Sequence, residues 1–155
     1  MASTGQAAAV FLILAGVFLP PRALAQTAAS AETPAQAIKK VCAACHNLEI
    51  VMDTPRDYNS WHDTVQAMID HGASGSQEDY ALVMQFLFSN MTTLDVNTAD
   101  PEALGVVLHA TPDQVTAIIA RRAKKPFKNL PDLLSAVPGL NRSLLTGKQR
   151  MLFFQ

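Results

Sequence analysis

The chain has 155 residues, a length that suits one domain or two small ones, and its formal net charge is −1. A near-neutral chain with 49% hydrophobic and 16% charged residues argues against a strongly basic nucleic-acid binder, and two cysteines are too few for a disulfide-braced scaffold. Charge is nonetheless unevenly spread. Between Gln26 and Met91 three basic residues (Lys39, Lys40, Arg56) face eight acidic ones, whereas from Thr92 to Gln155 eight basic residues stand against five acidic ones. That asymmetry suggests two modules.

Ala7 to Leu19 runs without a charge and ends at Pro20-Pro21-Arg22. The run is too short to span a bilayer comfortably. Ala23-Leu24-Ala25 has the small-x-small form that a signal peptidase cleaves, so residues 1–25 read as a removed secretory signal. Met1 to Gln6 carries no Lys or Arg, which departs from the usual signal pattern, and the alternative is an uncleaved anchor. A cleaved signal implies a bacterial, periplasmic protein with no membrane span remaining.

Residues 26–34 are rich in Ala, Ser and Thr and read as a flexible lead-in to a module over 26–91. Ala35 to Val41 is predicted as a short helix that delivers Cys42-Ala43-Ala44-Cys45-His46. Asp53-Thr54-Pro55 reads as a helix start, with Thr54 as cap and Pro55 in the first turn. The helix that follows carries Trp61, Val65, Met68 and Ile69 on one apolar stripe and stops at His71-Gly72. Ser76-Gln77-Glu78-Asp79 opens a second amphipathic helix with Tyr80, Val83, Met84, Leu87 and Met91 on one side.

Thr92 to Asn97 is polar and carries no helix signal, which places a module boundary there and a second module over 92–155. Two helical pairs follow. The first runs from Asp100-Pro101 through Leu104, Val107 and Leu108, turns at His109-Ala110, and restarts at Thr111-Pro112-Asp113-Gln114 with a capping-box pattern. Its second helix turns Val115, Ile118 and Ile119 inward before Pro126 ends it. The second pair runs from Leu130-Pro131 through Leu133, Leu134 and Val137, turns at Pro138-Gly139-Leu140, and restarts at Asn141 with Leu144 and Leu145. No strand signal stands out, so the expected fold class is all-α.

The cysteine pentapeptide carries the chemistry. Exported proteins ordinarily oxidise cysteines to structural disulfides, but a bridge across two intervening residues closes too small a loop to brace a domain. Two thiols at this spacing can instead add to the two vinyl groups of one haem, with the adjacent imidazole under the iron. Cys42 and Cys45 are therefore the expected covalent anchors of one haem c, and His46 an axial iron ligand. A covalent porphyrin would also supply core to a module too small to bury much surface alone. For the sixth position Met68 is the first candidate, because it lies one helix past the motif on the stripe with Trp61 and Val65. His71 is the alternative, followed by Met52, Met84 and Met91, while His62 and His109 read as solvated or structural. No residue set suggests a catalytic pocket, so an enzyme is not expected.

Cys42-Ala43-Ala44-Cys45-His46, Trp61, Thr64-Val65, Met68, Gly72-Ala73 and the helix from Glu78 to Leu87 together resemble the small c-type cytochrome modules found with periplasmic quinoproteins. The resemblance covers about 50 residues. It implies Met68 as distal ligand, outer-sphere electron transfer rather than substrate chemistry, and a periplasmic redox partner such as a quinoprotein dehydrogenase. From about residue 94 onward, Leu94 to Ala99, Glu102-Ala103-Leu104, Ile118 to Arg122, Pro126-Phe127 and Leu130 to Leu134 resemble a tandem helix-hairpin-helix domain. Such domains occur in competence DNA-uptake proteins, and related ones in a type II secretion pseudopilin that does not read DNA. DNA-binding members have glycine-rich hairpins that let backbone N–H groups approach a phosphate. Here the first hairpin reads His109-Ala110-Thr111-Pro112 and the second keeps only Gly139. The resemblance therefore implies protein docking first, with non-specific duplex binding through Arg121, Arg122, Lys124 and Lys125 as the alternative.

Overall fold

Helix-start signals in the sequence translate directly into caps. The computed structural model describes residues 31–155, together with Met1, so the predicted signal segment 1–25 lies outside the described residues. Helix α1 (Pro34–Cys42) begins at a reciprocal capping box between Thr33 and Gln36, with Pro34 in its first turn. A short helix α2 (Glu49–Met52) follows the cysteine motif. Helix α3 (Tyr58–Asp70) ends at His71, and Gly72 then takes φ +94, the left-handed turn that a Cβ would disfavour. Helix α4 (Gln77–Asn90) starts at the predicted Ser76, whose hydroxyl accepts from the Asp79 amide while the Asp79 carboxylate accepts from the Ser76 amide.

The predicted start at Thr54-Pro55 is not where α3 begins. Residues 56 and 57 are extended, and Asp57 is the cap, accepting from the Ser60 amide at 2.9 Å. The Thr54 hydroxyl instead donates to the Ile50 carbonyl at 2.7 Å. Extended pairing has taken the place of the first helical turn. Strand β1 (Arg56–Asp57) runs parallel to β2 (Thr92–Asp95), which runs parallel to β3 (Leu152–Phe153), in the order β1-β2-β3. The expectation of no strand is corrected accordingly. The chain is mainly helical, but the polar stretch after α4 is a half-buried strand with alternating burial, and its two partners are too short to show any periodicity.

Beyond β2 the helices fall in two consecutive pairs: α5 (Pro101–Leu108) with α6 (Pro112–Lys124), and α7 (Leu130–Ala136) with α8 (Arg142–Gly147). Asp100, Thr111, Asn129 and Asn141 cap their N-termini, and Thr111 with Gln114 forms the expected capping box. A short 3₁₀ turn (Gln149–Met151) leads into β3.

Residues Ala31–Gln155 form one compact unit. Its apolar core is continuous from Ala37, Ile38 and Val41 of α1 through Trp61, Val83 and Leu87 to Leu104, Ile118, Leu133 and Leu145. Polar contacts also cross residue 92. The Tyr58 hydroxyl donates to Glu102 at 2.9 Å, and burial, with that carboxylate, pushes its pKa up to about 12. Lys148 Nζ donates to the carbonyls of Phe88 and Val107, near the C-terminal ends of α4 and α5, where a cation is favourable. Burial lowers the Lys148 pKa.

The helix that carries the first cysteine is held to α4 by apolar packing and by one ion pair. Lys40 Nζ lies 2.7 Å from Asp79 and 3.2 Å from Glu32. The Lys40 ammonium, with the Ser76 amide, holds the Asp79 carboxyl well below the usual carboxylate range, and Asp79 in turn raises Lys40. A depressed carboxyl contributes stability above its ordinary value of 3.8 and loses it as pH falls towards the folded value. A raised amine contributes below its ordinary value of 10.5 and loses it as pH rises through the folded value. Lys40→Met is therefore expected to lower Tm by a constant amount between about pH 5 and pH 9, with the gap closing in stronger acid. Thermal melts followed by circular dichroism check this, and a gap that widened below pH 4 would contradict the pairing.

Candidate functional site

An apolar cavity of about 430 Å³ opens between α1, α2, α3 and α4, a size that suits a cofactor-sized molecule. Cys42, Cys45 and His46 line one part of it, where the chain leaves α1 in a turn. The α3 stripe supplies Trp61, Thr64, Val65, Met68 and Ile69, with His71 just beyond the helix end. Val41, Ile50 and Val51 come from α1 and α2, and Tyr80, Val83 and Leu87 from α4.

Gly75 keeps this corner closed. A Cβ there would lie 3.2 Å from Val41 and 3.3 Å from both Asp79 and Tyr80, tighter than most such contacts, so a side chain at this position would push the α3–α4 turn and the end of α1 apart by a few tenths of an ångström.

Two lining residues are large apolar side chains that protein atoms leave uncovered. Ile50 is 65% exposed and Met68 is 38% exposed, although both face an otherwise apolar hollow. Apolar side chains left uncovered in a concave hollow are a feature shared with ligand-binding grooves. Trp61, by contrast, is fully packed at 2% exposure, and its indole N–H donates to the Met91 carbonyl at 3.0 Å.

The chemistry of the donors fits a haem better than a redox dithiol. Both cysteines are free thiols, Cys42 half-buried and Cys45 exposed. Burial pushes the Cys42 thiol up, and Cys42 closes the C-terminal end of α1, where the helix dipole disfavours a thiolate. A catalytic dithiol needs the opposite environment. His46 Nδ1 lies 3.1 Å from the Asn47 carbonyl oxygen. A carbonyl can only accept, so Nδ1 carries the proton and Nε2 keeps its lone pair for a metal.

Of the predicted sixth-position donors, Met68 and His71 line the cavity together with the cysteine motif. Met52, Met84 and Met91 do not. His62 packs with Tyr58 and Phe88 outside it, and His109 caps α5 in the left-handed region at φ 52. Sequence reasoning missed Arg56. It lines the cavity with its guanidinium 5.7 Å from the Trp61 ring centre, and its one outward signal was its place among only three basic residues in the front half.

The basic residues of the second half are less available than their number suggests. Arg121 Nη1 donates to the Lys125 carbonyl, its guanidinium pairs with Asp132 at 3.5 Å, and it lies 5.1 Å from the Phe127 ring centre. Arg122 donates to the Val96 carbonyl at 2.9 Å, and Lys148 is taken up by α4 and α5. Lys124, Lys125 and Lys128 remain as exposed cations around the end of α6. Between α5 and α6 His109 takes the left-handed conformation, and Pro112 removes one N–H at the next helix start.

No family model, curated protein or solved structure matches the chain.

Proposed function

We propose that this protein is a c-type cytochrome that carries electrons. The observation that supports it most is the convergence of Cys42, Cys45 and His46 with Met68 around one apolar cavity. Cys42 and Cys45 would hold a haem through thioether bonds, His46 Nε2 would take one axial position, and Met68 Sδ the other, with His71 as the alternative donor. When bound, the haem supplies an iron that changes by one electron between ferric and ferrous. The protein's part would be to hold Met68 on the packed helix α3 and His46 in the short turn between α1 and α2, next to its covalent anchors. Val41, Val65, Val83 and Leu87 would shield the bound group from water, and the exposed motif and Ile50 would leave it within reach of a partner for outer-sphere exchange.

A periplasmic dehydrogenase of the quinoprotein type remains the proposed donor, on the resemblance of residues 41–90 alone. The pairs α5–α6 and α7–α8 suit a degenerate tandem helix-hairpin-helix module used for docking. Duplex DNA is the second reading, favoured by Lys124, Lys125 and Lys128. In fluorescence anisotropy the full mature chain is expected to show no submicromolar binding to labelled duplex at physiological salt, because both arginines of the patch are committed internally. Tight binding lost in Lys124→Ala/Lys125→Ala/Lys128→Ala would favour the DNA reading.

The absorption spectrum tests the haem and its sixth ligand. The oxidised protein is expected to show a weak sulfur-to-iron charge-transfer band at the red edge of the visible range, absent in Met68→Ala. A wild-type spectrum without that band that changes in His71→Ala would assign two imidazoles. Rapid carbon monoxide binding to the reduced wild type would count against a six-coordinate carrier.

A further inference from the structure

The haem reading leaves two carboxylates, the propionates, to be accommodated by a cavity whose walls are almost wholly apolar. An unpaired charge beside such walls is costly, so a donor is needed where they emerge. Four neutral donors lining the cavity are already engaged. Thr54 donates to the Ile50 carbonyl at 2.7 Å, Thr64 to Ser60 at 2.7 Å, Tyr80 to Ala73 at 2.8 Å, and the Trp61 indole to Met91 at 3.0 Å.

Arg56 differs from all of these. Its backbone is fixed in β1, where its N–H donates to the same Met91 carbonyl at 3.2 Å and it pairs with Thr92. Its guanidinium rests against Trp61 and, among the described residues, makes no hydrogen bond or ion pair with another side chain. The adjacent Asp57 carboxylate is occupied by the Ser60 amide and hydroxyl. Among the cavity-lining residues Arg56 is the one permanent cation, presenting a planar fork suited to a carboxylate.

We propose that Arg56 is the positioning residue that pairs with a haem propionate and thereby raises the reduction potential. The proposal rests on the haem reading. A cation beside the propionate offsets its negative charge, and that negative charge would otherwise favour the ferric iron. Trp61 and the β1–β2 pairing hold the guanidinium in place in advance, so little side-chain freedom is lost on pairing.

Spectroelectrochemical titration of the haem-loaded full chain tests this with Arg56→Gln and Arg56→Lys. Haem content and the visible spectrum of each variant are recorded first. Arg56→Gln is expected to lower the reduction equilibrium constant about tenfold, 59 mV for one electron, and Arg56→Lys to stay within about threefold of wild type because the charge is kept. The reduced-minus-oxidised infrared difference spectrum should show a propionate carboxylate band that shifts in Arg56→Gln. An Arg56→Gln protein with full haem whose constant changes less than threefold, or whose carboxylate band does not move, overturns the assignment while leaving the haem reading intact. A wild-type chain that takes up no haem sinks both.

Discussion

Expression of the Cys42→Ala/Cys45→Ala chain in a host with haem-attachment machinery is expected to give a colourless protein that no longer melts cooperatively. The loss of colour follows from the chemistry, because no other thiol is present to form a thioether. Loss of the fold follows from the cavity. Without its occupant the apolar lining of a cavity of about 430 Å³ stays in contact with water, and the whole stability of a domain this size is only about 5–15 kcal/mol. Denaturing electrophoresis with a haem peroxidase stain reads the first effect, and limited proteolysis with circular dichroism reads the second. A double variant that kept a stained band would overturn the thioether assignment, and a colourless one as stable as wild type would remove the haem from the core.

What the sequence displayed well was local. Ser76, Thr111 and Asn141 were legible as helix starts because each cap depends on atoms within three residues. The stripe Trp61, Val65, Met68 and Ile69 was legible because its helical spacing is the geometry that turns it towards one cavity. The cysteine motif needs no tertiary information to be read. What stayed hidden depends on chain segments far apart. Strand β1 is two residues long and exists only because Arg56 and Asp57 meet Thr92 and Thr93, 36 positions later. That pairing displaced the cap from Thr54 to Asp57. It also brought Arg56 to the cavity.

The basic count of the second half overstates the free cations for a similar reason. Charge can be counted in a sequence, but whether a guanidinium faces solvent or a carbonyl cannot. Arg122 reaches Val96 and Lys148 reaches Phe88 and Val107 because the termini of other elements are nearby in space. The expected boundary at Thr92 rested on the charge asymmetry and the polar run from Thr92 to Asn97, which the core crosses. That run became a strand because Thr92 and Leu94 alternate inward and find partners on both sides.

A chain ended after Met91 is expected to be mostly unfolded and to attach haem poorly, despite retaining every residue that lines the cavity. Its loss begins at β2, without which Arg56 and Asp57 have no strand to pair with and the position of Trp61 beside them is less defined. Thr92 no longer donates to the Leu87 carbonyl, nor Lys148 to that of Phe88, so the end of α4 frays. Tyr58 loses Glu102, and Leu87, Phe88 and Met91 lose part of the core that covers them. What remains is about 60 residues, a size at which burial alone rarely gives more than a few kcal/mol. Covalent haem would offset part of this, which makes the comparison decisive when the truncated and full-length chains are produced side by side with the attachment machinery. Haem per polypeptide and urea midpoint are measured for each. A truncated protein with full haem and a midpoint equal to that of the longer chain would show that residues 31–91 fold independently and that the shared core across Thr92 contributes nothing to the cavity.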